Sequence, residues 1–74
     1  MFKKMQLRHA IKKSKRIILA LEQKRSRSQA ALVEAILTHT TPQDTDVDFF
    51  NMYTARINAE RDKMHQLTDE LNKL

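Results

Sequence analysis

The chain has 74 residues, with 14 Lys+Arg, 9 Asp+Glu and 3 His, a formal net charge of +5, no Gly, no Cys and one Pro. That length admits one small domain spanning 1–74, and the missing cysteines and scattered histidines exclude a disulfide framework or a structural zinc site. Without glycine there is no Gly-rich phosphate loop, and a pocket enzyme is not expected at this size.

The N-terminal segment is basic. Its longest apolar run, Ile17-Ile18-Leu19-Ala20-Leu21, is five residues, against the roughly 20 that cross a bilayer. No transmembrane segment is therefore expected, and no small-residue cleavage site follows the run. The expected location is the cytoplasm.

Punctuation is confined to Thr38–Asp46, which holds the proline and a cluster of Thr and Asp. The flanking stretches are rich in good helix formers. The predicted elements are a helix over about 3–39, a turn over about 40–42 and a helix over about 43–73. Thr41 is the expected cap of the second helix, Pro42 its first residue, and Asp44 a favourable charge at its positive end.

In the first helix Leu7, Ile11, Ser14, Ile18, Leu21, Arg25, Ser28, Leu32 and Ala35 alternate spacings of three and four. In the second, Phe50, Tyr53, Ile57, Glu60, Met64, Leu67, Leu71 and Leu74 do the same. These are heptad-type seams of the kind found in coiled coils. The expected fold is all-α, an antiparallel two-helix hairpin.

A fold about Pro42 places residues level when their numbers total 85. Every seam residue from Ile11 to Ala35 then finds a partner, and Arg25 meets Glu60, the charged member of each seam. That ion pair is the expected register marker. The same register leaves residues 1–10 extending past the second helix.

A lone hairpin buries little surface, and the first helix holds apolar residues beyond its seam. Leu19, Ala30, Val33 and Leu37 lie to one side of it; Ala10, Ile17 and Ala31 lie to the other. A four-helix bundle is the expected completion, with a homodimer or a partner protein's helix supplying the rest. The candidate apolar interface is Leu19, Val33, Leu37, Phe49, Phe50, Met52 and Tyr53.

Charge is uneven along the chain. Residues 1–33 carry ten basic residues and one acid, Glu22, hence +9; residues 34–74 carry four basic and eight acidic residues, hence −4. Lys4, Arg8, Lys12, Lys15 and Arg16 form a candidate anion-binding stripe on the first helix. No base-reading set accompanies it, so nucleic acid is the second choice as a partner. No nucleophile sits beside a base, and no metal-ligand spacing joins His9, His39 and His65. No catalytic residue, metal or cofactor is expected.

The last nine residues, Gln66–Leu74, resemble the Ser-Gln-Glu-Leu-Asp signature of small sporulation phosphatase-regulator hairpins. Asp69 stands where that motif has Gln, and Asn72 where it has Asp. The hairpin plan is also similar to small helical co-chaperones of bacterial secretion systems. Neither resemblance carries a function across. The expectation is a small non-enzymatic helical interaction module, an adaptor, regulator or co-chaperone; the alternative is a basic protein that binds nucleic-acid phosphates.

Overall fold

The computed structural model describes residues 2–74 and contains two helices, α1 (Phe2–Leu37) and α2 (Asp44–Asn72). The short turn between them brings α2 back antiparallel along α1. The hairpin is a rod of 57 × 16 × 14 Å, and its length follows from 36 residues at the rise of about 1.5 Å per residue.

The two spacing seams form the inner faces. Leu7, Ser14, Ile18, Leu21 and Ser28 are buried on α1, and Ile57 on α2. The remaining seam residues of both helices are half-buried, apart from Leu74 at the open end. The centre is a cluster of Ile18, Leu21 and Ile57, with Ile17, Tyr53 and Met64 packed against it. Ile57 has no exposed surface at all. Ser14 and Ser28 are buried as well. Two small side chains on one seam let the helices approach closely there.

α1 ends two residues before the predicted boundary, for an identifiable reason. His39 adopts φ 56°, the left-handed conformation that terminates helices. The Thr40 amide donates to the Ala35 carbonyl at 2.9 Å and the His39 amide to the Ile36 carbonyl at 3.2 Å. These two bonds are the Schellman pattern. The Thr38 hydroxyl adds a bond to the Glu34 carbonyl at 2.9 Å, and the Thr40 hydroxyl another to Ala35 at 3.3 Å. The two threonine hydroxyls thus add to the backbone bonds at the Glu34 and Ala35 carbonyls, and the His39 amide takes the Ile36 carbonyl.

The start of α2 differs from the expected cap. Gln43, with extended backbone, occupies the N-cap position and makes no side-chain cap bond. Its carbonyl accepts the Asp46 amide at 3.1 Å and the Val47 amide at 3.2 Å. Thr41 and Pro42 therefore precede the helix. Asp44 and Asp46 lie in its first turn, where carboxylates favour the positive end of the helix dipole. The turn runs over 38–43.

This longer turn moves the register. The flanking residues Leu37 and Asp44 total 81, and the interhelical ion pair of Glu22 with Arg61 totals 83, against the 85 expected. At totals of 81 and 82 every seam residue has a level partner. By that count Leu7 is level with Leu74, Ser14 with Leu67, Ile18 with Met64, Ser28 with Tyr53, and Ala35 with Asp46. Asp46 is half-buried and lines a shallow recess beside Ala35 at the turn. The shift is close to one helical turn, so the faces in contact are preserved while every pairing changes.

Two expectations are thereby corrected. Arg25 and Glu60 do not form an ion pair; among the described residues the ion pair is Arg61 with Glu22. Glu60 instead comes level with Leu21, and one of its carboxylate oxygens is buried without a hydrogen-bond partner. Nor does the expected overhang of residues 1–10 hold in full: residues 7–10 lie alongside α2, and residues 2–6 extend past it. Leu7 is 7% exposed and Ala10 and Ile11 are half-buried, so the last turn of α2 reaches Leu7.

Candidate interaction surface

The apolar residues of α1 outside its seam divide into two groups. Ala10, Ile17 and Ala31 are half-buried, and Ile17 packs against the central cluster. α2 therefore already serves that side. Leu19, Val33 and Leu37 are exposed, Leu37 by 74%. Ala30 is exposed beside them. At 100° per residue this second group lies on the side of α1 turned away from α2.

The candidate apolar residues of α2 also separate. Phe50 and Tyr53 are half-buried in the seam. Phe49 and Met52 are exposed by 48% and 41%. The Phe49 ring stacks on Tyr53 with centroids 6.1 Å apart, which anchors it against the hairpin. The seven residues grouped from the sequence thus do not share one surface. Two belong to the interior, two flank it near the turn, and Leu19, Val33 and Leu37 line the outer side of α1.

Five large exposed apolar residues were not in that group: Phe2, Met5, Ile36, Val47 and Leu74. Ile36 is 67% exposed at the end of α1, and Val47 is exposed at the start of α2. Phe2 is exposed at the far end of α1. With Val33, Leu37, Phe49 and Met52, Ile36 and Val47 concentrate apolar surface at the turn end of the rod. Their seam-relative spacing was readable; their exposure depended on the turn's length. A shallow groove on the outer side of α1 is lined by Ser26, Gln29, Ala30, Val33, Glu34 and Leu37.

Lys4, Arg8, Lys12, Lys15 and Arg16 are all exposed. None takes part in an ion pair within the described residues. Lys3 and Lys4 sit in the first turn of α1, which holds no acidic residue, although the helix dipole favours negative charge there. Like charges four residues apart add mutual repulsion. Among the described residues no carboxylate of the hairpin comes within ion-pair distance of the basic stripe.

Among the described residues no group of His, Asp and Glu is arranged to hold a metal ion. Among the same residues no helix is long and apolar enough to cross a membrane. Comparison with protein-family models, with curated proteins and with solved structures finds no match.

Proposed function

We propose that the chain is a small non-enzymatic helical interaction module, an adaptor, regulator or co-chaperone of the cytoplasm, that completes a helical bundle with a second copy or with another protein's helix. The observation that supports this reading is the exposure of Leu19, Val33 and Leu37 along the side of α1 facing away from α2. An apolar row of that length on so small a protein marks a surface that gains from being covered. Among the described residues the hairpin has two helices and no third element to cover it.

Sedimentation of the purified chain at low micromolar concentration, alone and with extract from its native cell, tests the proposal. Assembly that disappears when Leu19, Val33 and Leu37 are changed to Ser supports it. A folded monomer that forms no complex, with the Ser variant behaving identically, overturns it.

A second reading rests on the exposed, unpaired stripe of Lys4, Arg8, Lys12, Lys15 and Arg16. These side chains would bind nucleic-acid phosphates with strongly salt-dependent affinity and no sequence preference. A mobility shift with random duplex DNA at physiological salt distinguishes it, because the apolar row is irrelevant to such binding.

A further inference from the structure

The outer side of α1 carries a second complete seam. Phe2, Met5, His9, Lys12, Arg16, Leu19, Gln23, Ser26, Ala30, Val33 and Leu37 alternate spacings of three and four along the whole helix, and every one of them is exposed. α1 thus repeats on its outer face the geometry that seats α2 on its inner face. The row is apolar at both ends and at Leu19. Between Met5 and Leu19 it is basic or imidazole-bearing, with His9, Lys12 and Arg16. Arg8 and Lys15 border that segment on one side and Lys13 on the other.

From this we infer that the outer face of α1 receives an acidic amphipathic helix of another protein, with apolar residues spaced by three and four and carboxylates flanking them. The inference rests on the interaction-module reading and names its partner class. Charge complementarity selects this occupant. Among the ten basic residues of residues 1–33, none has an ion-pair partner among the described residues. The one acid in that stretch, Glu22, is engaged by Arg61.

A second copy fits less well. Its own α1 presents the same cations, so an α1-to-α1 contact would bring Lys12 and Arg16 against neutral Gln23 and Ser26 or against each other. The row of its α2 opposite the seam runs Asn51, Ala55, Asn58, Asp62, His65, Asp69 and Asn72, which offers carboxylates but no large apolar side chain to Leu19, Val33 and Leu37. The row flanking the seam, Phe49, Met52, Arg56, Ala59 and Lys63, sets cation against cation. Like charges opposed across an interface are costly. A lipid surface also fits less well, because an apolar row one residue wide with a polar middle lacks the broad apolar arc of an interfacial helix. Nucleic acid would leave Leu19, Val33 and Leu37 without a role.

The probe is a synthetic helix about four heptads long, enough to be helical when docked. It carries Leu at the seam positions and Glu on the flanks. Controls are the same peptide with Ser at the seam, duplex DNA, and vesicles of anionic phosphatidylglycerol. The full chain is titrated with each at physiological salt.

The expected result is saturable binding of the Leu/Glu peptide, weakened at least about tenfold by Leu19→Ser with Val33→Ser, and by a similar factor by Lys12→Glu with Arg16→Glu. Circular dichroism should show the helix content of both variants unchanged, since all four positions are exposed.

Absence of binding by the Leu/Glu peptide overturns the inference. Equal binding of the Ser-seam peptide overturns it too, since charge alone would then suffice. Tighter binding to DNA or to vesicles assigns the face to those partners instead. A dimer of the parent chain that Leu19→Ser with Val33→Ser dissolves gives the face to a second copy; the interaction-module reading then stands while this inference fails.

Discussion

Glu22 and Arg61 join the two helices through a single 2.7 Å hydrogen-bonded ion pair, between residues 39 positions apart in sequence. Both side chains remain well exposed, at 36% and 46%. A pair so placed records the register more than it enforces it. Glu22→Ala or Arg61→Ala should each lower stability by no more than about 1 kcal/mol. A double-mutant cycle read by urea unfolding checks this, and a coupling well above that range would contradict the solvated geometry.

Glu60 is the opposite case. One carboxylate oxygen of this half-buried residue is enclosed without a hydrogen-bond partner, and an unsatisfied buried acceptor costs about 1–3 kcal/mol. Glu60→Leu should therefore raise the unfolding midpoint, continuing the apolar seam beside Leu21. Arg25→Leu should show no coupling to Glu60→Leu in a cycle. A strong coupling would restore the ion pair that the register excludes.

Ile57 is the most enclosed side chain of the hairpin, with 0% exposure. Ile57→Ala should cost about 2–5 kcal/mol. A single small core rarely supplies more than about 3–5 kcal/mol in total, so the variant should be largely unfolded by circular dichroism at room temperature. Ser14→Leu tests the neighbouring principle. Filling a close-approach position should cost about 1–3 kcal/mol through overpacking, whereas Ser14→Ala should be tolerated.

His39 holds a left-handed backbone that suits glycine better than a residue with a Cβ. His39→Gly should stabilise by about 1 kcal/mol, measured by thermal or urea unfolding. His39→Val, β-branched at the same φ, should destabilise. If both changes were neutral, the Schellman turn would not be the element that stops α1.

How much of this was readable beforehand follows from periodicity. The seams were legible because burial recurs at three and four, and each predicted seam residue except Leu74 turned inward. The register was not. With spacings that alternate so regularly, sliding one helix by a turn matches the same two rows again. Arg25 opposite Glu60 was one match; Leu21 opposite Glu60 was another. The choice between them lay in six turn residues, where His39 took a conformation that its side chain does not announce and Gln43, not Thr41, began α2. The candidate surface was half legible. Leu19, Val33 and Leu37 could be placed off the seam by angle alone. Phe50 and Tyr53 were already seam members by spacing, and the seam is where they lie.

The rod has no centre in the usual globular sense. Each seam layer touches the layers above and below it, and none is surrounded on all sides. Contacts near the turn, such as Ala35 with Asp46, close short loops of chain, while Leu7 against the end of α2 closes nearly the whole of it. By loop length alone, pairing is least costly at the Schellman turn and most costly at the open end. The basic half of α1 closes the longest loops, and it also holds most of the buried seam, Leu7, Ser14, Ile18 and Leu21. A partner that grips Lys12 and Arg16 would act on that half, where the two ends of the chain are brought together.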